Sequence, residues 1–374
     1  GQSDRLRVGC AAWRADQLDT GLGELMLPAG ARRLVAKRAA RVGDAERHRL
    51  IEEPRAGDAR RRDRQLRPQR QRAAPAIEEP VHLPVDRSAD IRGQGEPVLI
   101  SHGIAGGFDQ GLGLAEAHLS EGMQAIAVSR FGYLGTPLPE NASPAAQADA
   151  YLCLLDALNL DKVTVLANSA GGTSAIQMAL RHPDRVKALV LVSSAAPATV
   201  VQTVALPPKP VIQAVFGSDF LMWLITTKFQ AMMHATVGVP EGYPLSAADQ
   251  VLVSDLIRSI LPIQPRQAGF VFDMFNSNMD MDQHPQAYPM EELHVPTLII
   301  SAVDDPLIKY ENARAMAERI PNAQFYTFSS GGHLLLGSGD TVRVEIAKFL
   351  EALVSPQSNN RINIVYYPSE IPSR

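Results

Sequence analysis

Short apolar and β-branched runs alternate along most of this chain with stretches whose apolar positions recur every three or four residues. Runs of the first kind read as buried strands, those of the second as amphipathic helices. The pattern predicts strands near 97–101, 123–128, 163–166, 188–193, 295–303 and 325–328, with helices near 146–158, 173–180 and 340–353. Strand and helix in alternation predict a mostly parallel, doubly wound α/β sheet with helices on both faces. Ahead of residue 97 the pattern is thin, and only 81–83 and 90–92 are candidate edge strands.

The alternation lapses in three places. Between 198 and 290 the chain reads as helices and loops rather than strand and helix. There, 211–233 is apolar and Met-rich, 247–260 carries Leu252, Leu256 and Ile260 on one face, and 267–279 is a third candidate helix. Before about residue 85 apolar periodicity is poor, apart from a weak amphipathic pattern at 31–51. After 354 the chain is polar and Pro-bearing, and is expected to lie outside the core. The expected organisation is therefore an irregular Arg-rich extension (1–84), a core in two pieces (85–197 and 291–353), a helical insertion (198–290) and a C-terminal tail (354–374).

One junction carries candidate chemistry. The strand at 163–166 runs into Ala167-Asn168-Ser169-Ala170-Gly171-Gly172, and a helical stretch follows at once. A serine hydroxyl is a weak nucleophile unless the backbone holds it exposed beside a base. A sharp strand-to-helix turn does so only when its neighbours are small, and Ala167 and Gly171 meet that need.

This junction resembles the nucleophile elbow of the α/β-hydrolase family, usually Gly-x-Ser-x-Gly, with Ala167 in place of the first glycine. Other matches follow in the family's order. Upstream, the strand at 97–101 ends in His102-Gly103-Ile104. The resemblance implies that the backbone N–H groups of Ile104 and Ala170 form an oxyanion hole. Gly103, Gly106 and Gly107 would then let the backbone approach a substrate, and His102 reads as a brace for the loop. Downstream, an apolar strand ends in Asp304-Asp305-Pro306, where the family places its triad acid. The motif aligns best with Asp305; Asp304 is the alternative, and a plain solvated turn is the bland reading. Finally, a strand enters Gly331-Gly332-His333, similar to the family's histidine loop. Most members carry Asp-x-x-Gly after the second parallel strand, where this chain has Ser129-Arg130. The stretch from Ser129 to Pro139 is a feature of a large branch of the family and fixes no substrate. The resemblance covers about residues 88–353.

It implies that Ser169, Asp305 and His333 form a catalytic triad. His333 would take the proton of Ser169 and pass it to the leaving group, while Asp305 sets the imidazole tautomer. The reaction implied is hydrolysis of a carboxylic ester through an acyl-enzyme. Carbon–carbon bond hydrolysis of a meta-cleavage diketone by the same triad is the first alternative, and a perhydrolase or cofactor-free haloperoxidase a weaker one. A hydrolase-like binding protein without catalysis is the non-enzyme alternative. Aspartate-nucleophile relatives are disfavoured, because position 169 is Ser. In the family an insertion at 198–290 commonly caps the site. Its apolar underside would suit an acyl chain or aromatic group, although most of those residues are expected simply to pack on the core.

Composition adds bounds. The chain carries a net charge of −4, but residues 1–96 carry +5 and residues 97–374 carry −9. Nineteen of the 20 basic residues in 1–96 are Arg. Three readings fit that segment: a tail for nucleic acid or an anionic surface, an irregular extension, and translation from a misplaced start or frame. The irregular extension is preferred, so no nucleic-acid partner is expected. Cys10 and Cys153 give no disulfide framework, and Cys153 is expected to be a buried apolar residue. No Cys/His spacing suggests a metal and no glycine loop suggests a nucleotide, so no cofactor and no metal are expected. No apolar run reaches the length of a membrane span, and no signal-peptide core is visible near Gly1; a cytoplasmic location is the default expectation.

Overall fold

The computed structural model describes residues 88–199, 208–321 and 323–354, together with the backbone of one further strand at 364–367. The Arg-rich extension, including the candidates at 31–51 and 81–83, lies outside the described residues. The strands are β1 (Ala89–Arg92), β2 (Glu96–Ser101), β3 (Met123–Val128), β4 (Val163–Asn168), β5 (Val186–Val192), β6 (Thr297–Ala302), β7 (Ala323–Phe328) and β8 (Ile364–Tyr367). They form one sheet in the order β1-β3-β2-β4-β5-β6-β7-β8. β1 pairs antiparallel with β3, and every other neighbour is parallel. The doubly wound α/β architecture expected from the pattern is the one observed.

The tail corrects the sequence reading. Residues 364–367 do not lie outside the core region but add β8, in register from Phe325↔Ile364 to Phe328↔Tyr367. The run Ile364-Val-Tyr-Tyr is β-branched and aromatic, which suits a strand, but it is too short to stand out among polar neighbours.

Successive side chains of each central strand enter opposite layers, as the two-residue strand period requires. Leu99, Val165, Leu189 and Ile299 pack on one face against α2 (Pro144–Ala157), α3 (Gly172–Arg181) and α9 (Tyr310–Arg319). Ile100, Leu166, Val190 and Ile300 face the other way, against α1 (Phe108–His118) and α10 (Gly339–Val354). Burial on both faces explains why these strands read as continuous apolar runs rather than alternating ones. α2 starts where Ser143 Oγ accepts the Ala146 N–H at 3.1 Å and Pro144 occupies the first turn, a helix start that stabilises by about 1 kcal/mol. Cys153 is buried on α2 as expected, and Cys10 lies outside the described residues.

Between β5 and β6 the insertion folds as α4 (Lys209–Val215), α5 (Asp219–Lys228), α6 (Ala247–Ser259), α7 (Gln267–Phe275) and the short α8 (Asp280–Gln283). It has its own apolar cluster, in which Ile212, Met222, Val253, Ile257 and Phe270 are buried. That cluster also takes in Ala105 and Ile104 from the loop after β2, and Leu334 and Leu336 from the loop after β7. The insertion therefore rests on the loops at the carboxyl end of the sheet. Among the described residues no single helix is long and apolar enough to cross a membrane.

Candidate active site

The chain leaves β2 for β3 on one side and returns to β4 on the other, so the strand order reverses between β2 and β4. In open α/β sheets, the crevice at the carboxyl ends of such a strand pair is the usual ligand position. Ser101 at the end of β2 is in register with Ala167 near the end of β4. The loops that follow lie side by side: a Cβ built on Gly103 would stand 3.3 Å from Ser169 Cβ.

Ser169 opens a tight turn, Ser169–Gly171, with φ at +51°. Such a backbone costs a non-glycine residue on the order of 1–3 kcal/mol and persists only when its surroundings impose it. Here they do. Ser101 Oγ donates to Gly171 O at 3.0 Å, Thr173 Oγ1 donates to Ala170 O at 3.1 Å, and the Ala195 N–H donates to Ser169 O at 2.9 Å. Gly171 has no room for a side chain, since a Cβ there would lie 2.2 Å from Ser101 O. The small residues predicted around the serine are thus required by a neighbouring strand as well as by the turn.

At the ends of β6 and β7 the two adjacent aspartates divide their work. His333 Nδ1 stands 2.9 Å from Asp305 Oδ2. The other oxygen of Asp305 accepts the N–H groups of Leu307 at 2.8 Å and Ile308 at 3.0 Å. Asp304 instead accepts the backbone N–H groups of Gly331 at 3.1 Å and Gly332 at 2.8 Å. Asp305 and His333 are buried, at 3% and 6% exposure. The insertion grips the same loop: the His333 N–H donates to Gly238 O at 3.0 Å, Tyr243 Oη donates to Leu336 O at 3.2 Å, and the Gly337 N–H donates to Asp249 Oδ1 at 3.2 Å.

The structure thus brings Asp305 and His333 into contact. Ser169 is partly exposed, and among the described residues its hydroxyl makes no hydrogen bond, to His333 or to any other group. The N–H groups of Ile104 and Ala170 flank the same junction, and neither donates to a loop or side-chain acceptor among the described residues. His102 is fully buried. Its Nε2 accepts the Arg130 N–H at 2.9 Å, which leaves Nδ1–H to donate to Gly103 O at 2.7 Å. Burial and the nearby Arg130 charge hold this imidazole well below its ordinary pKa, so it is a neutral brace.

The sequence reading missed a buried ionic network. Arg130, noted only as a departure from the family pattern, donates from Nη1 to Asp273 Oδ1 at 2.8 Å and from Nη2 to Asp273 Oδ2. Burial disfavours its charge, but Asp273 outweighs that and the guanidinium pKa is raised. Tyr133 Oη donates to the same carboxylate at 2.5 Å, and burial raises its pKa well above the usual phenol range. Arg266, at 1% exposure, donates to Gly106 O at 2.7 Å and pairs with Asp109. Asp273 and Arg266 lie in or beside an apolar helix of the insertion, and a charge embedded in such a run was the available signal, since buried charges are almost always paired.

Residues 96–220 match the family model described as alpha/beta hydrolase fold, and residues 253–351 match the one described as serine hydrolase. The chain is 29% identical over 261 residues to 2-hydroxymuconate semialdehyde hydrolase from Pseudomonas putida, covering 65% of this chain and 82% of that protein. It is 27% identical over 262 residues to a poly(3-hydroxyalkanoate) depolymerase from Ectopseudomonas oleovorans, covering 68% of this chain and 84% of the other. Among solved structures, an alpha/beta hydrolase fold protein from Nakamurella multipartita superposes with a TM-score of 0.58 at 29% identity, over 71% of this chain and 95% of that one. Relatives with hydrolase activities, the sheet order and the strand–serine–helix junction at its switch point agree, and the chain belongs to the α/β-hydrolase superfamily.

Proposed function

We propose that this protein is a serine hydrolase that cleaves carboxylic esters through an acyl-enzyme on Ser169. The observation that carries the reading is the arrangement at the carboxyl end of the sheet: a serine forced to positive φ at the switch point, with a buried Asp305–His333 pair on the same edge. In the proposed cycle His333 accepts the Ser169 proton as the hydroxyl attacks the substrate carbonyl. Asp305 holds Nδ1–H and leaves Nε2 as the base. The N–H groups of Ile104 and Ala170 stabilise the tetrahedral oxyanion, an interaction whose loss typically lowers the rate by about 10²–10³. The leaving alcohol takes the proton, and water repeats the sequence to release the acid. Ser169 and His333 share no hydrogen bond among the described residues, and catalytic hydrogen bonds commonly tighten only when substrate is bound.

The helical insertion serves as the cap. Its apolar cluster, shared with Ile104 and Leu334, supports a substrate with an acyl chain or an aromatic group. A second reading has a specific support: one relative is named for hydrolysis of 2-hydroxymuconate semialdehyde, and the same triad can serve carbon–carbon cleavage. Hydrolysis of p-nitrophenyl esters from acetate to palmitate, with Ser169→Ala alongside, tests both. Ester turnover that disappears in the variant supports the first reading. Turnover of a meta-cleavage diketone far above any ester supports the second. Unchanged ester hydrolysis by Ser169→Ala would remove Ser169 from the mechanism.

A further inference from the structure

We infer that Asp273, a residue of the insertion, acts through Arg130 and Tyr133 as a positioning residue that aims the Ile104 N–H. The inference rests on the reading of Ile104 as an oxyanion donor. Ile104 N–H belongs to the peptide whose carbonyl is Gly103 C=O. That peptide is planar and trans, so its N–H and C=O point in opposite directions. Whatever fixes Gly103 O therefore fixes the direction of the Ile104 N–H. Three donors converge on Gly103 O: His102 Nδ1 at 2.7 Å, Arg130 Nη2 at 3.3 Å and the backbone N–H of Gly106 at 3.4 Å. Arg130 Nε also holds the preceding carbonyl, His102 O, at 2.8 Å. On the other side of Ile104, the Ala105 N–H donates to Tyr133 Oη at 3.3 Å. Both peptides of Ile104 are thereby pinned.

Neither pin stands alone. The guanidinium of Arg130 is oriented by the Asp273 carboxylate, which engages Nη1 and Nη2 together, a geometry that fixes the plane of the guanidinium as well as its charge. The Tyr133 hydroxyl donates to Asp273 Oδ2, which leaves its lone pairs for the Ala105 N–H. Arg130, Tyr133 and Asp273 are at most 3% exposed, so water cannot replace a lost partner. Asp273 lies on α7, 143 residues from Arg130 in the chain, and α7 is also tied to the core where the Gly269 N–H donates to Gly132 O at 2.8 Å. Seating of the insertion and the aim of the oxyanion donor are thus one geometric unit. Cap and catalytic loop cannot move independently while the Asp273 contacts hold.

The test uses the full chain and its best p-nitrophenyl ester. Tyr133→Phe removes one hydroxyl and leaves the ion pair, so it is the variant least prone to misfold. Asp273→Asn removes the charge on Arg130's partner. The expected result is a kcat lowered about ten-fold for Tyr133→Phe and about 10²-fold for Asp273→Asn, within the range for a misaligned oxyanion donor. KM should stay within about two-fold, and the inhibition constant of phenylboronic acid, whose adduct on the serine mimics the tetrahedral state, should rise by the same factor as kcat falls. A folded Tyr133→Phe with unchanged kcat and boronate affinity would overturn the inference. So would a rise in KM alone, which marks a pocket-lining role. If Asp273→Asn does not fold, Tyr133→Phe decides alone. Labelling of wild-type Ser169 by a fluorophosphonate separates the levels: labelled wild type with indifferent variants removes only this inference, whereas unlabelled wild type removes the site reading and this inference with it.

Discussion

His333 Nδ1 lies 2.9 Å from Asp305 Oδ2, while the adjacent Asp304 turns its carboxylate to the N–H groups of Gly331 and Gly332. One loop is thus held by two neighbouring carboxylates, one on its ring and one on its backbone. Asp305→Asn should lower kcat by about 10⁴, as expected when the imidazole is held in the wrong tautomer. Asp304→Asn should keep most of kcat and lose about 1–3 kcal/mol of stability, because two amides lose a charged acceptor. Steady-state ester hydrolysis with thermal melts of both variants checks this; equal kcat losses would contradict the division of labour.

Gly238 presses on the same histidine from the insertion. Its φ is +85°, and a Cβ there would lie 2.2 Å from His333 Cβ. Gly238→Ala should therefore displace the ring, and kcat should fall more steeply than the melting temperature. The comparison of interest is with Gly242→Ala, whose φ is also positive but whose added Cβ meets open space. Equal effects at the two positions would mean that backbone strain alone matters.

Gly171 faces a different obstacle. Its added Cβ would meet the carbonyl oxygen of Ser101 on the adjoining strand at 2.2 Å. Neither strand can yield, because Ser101 is in register with Ala167 in the centre of the sheet. Gly171→Ala should destabilise by more than about 2 kcal/mol, at the upper end of overpacking effects, measured as a shift of the urea midpoint. A midpoint equal to wild type would show that the elbow can relax.

Acid should loosen the fold through two imidazoles, the buried His102 and the half-buried His118. Burial, then the charge of Arg343, lowers the His118 pKa to about 4, and its buried Nδ1 has no hydrogen-bond partner among the described residues. His102 is lowered in the same direction by burial and Arg130. In the unfolded chain such groups titrate near 6.5. Their stability is therefore complete above about pH 6.5 and is lost as pH falls toward the folded values. For His118 the full loss is on the order of 3 kcal/mol, reached below about pH 4. Urea midpoints should be level from pH 8 to about 7 and decline from about 6.5 downward, with a shallower decline in His118→Leu. A wild-type midpoint that stays level to about pH 4 would count against both assignments.

Much of this fold was legible because its determinants are local. Double-sided burial makes each central strand a continuous apolar run, and 163–166 extended only to Val163–Asn168 in the structure. The turn at Ser169 needs small neighbours on both sides, and such a requirement is written in adjacent residues. The His333 loop was readable from Gly331-Gly332 for the same reason. The short strand at 364–367 escaped, since four residues carry too little pattern to outweigh their polar surroundings.

What adjacency could not specify was partnership across the chain. Asp304 and Asp305 have the same chemistry one residue apart, and only the approach of the His333 loop separates an acid that meets the ring from one that meets amides. Arg130 looked like a gap in a pattern until Asp273, far along the chain, closed on it. The sequence by itself determined the alternation of strand and helix, the exposed serine at a strand end and the order in which serine, aspartate and histidine arrive. Tertiary structure alone decided which carboxylate faces which donor and how the insertion grips the loops around the site. Secondary structure and turns follow from sterics within a few residues, whereas the pairing of buried charges depends on which distant surfaces the folded core brings together.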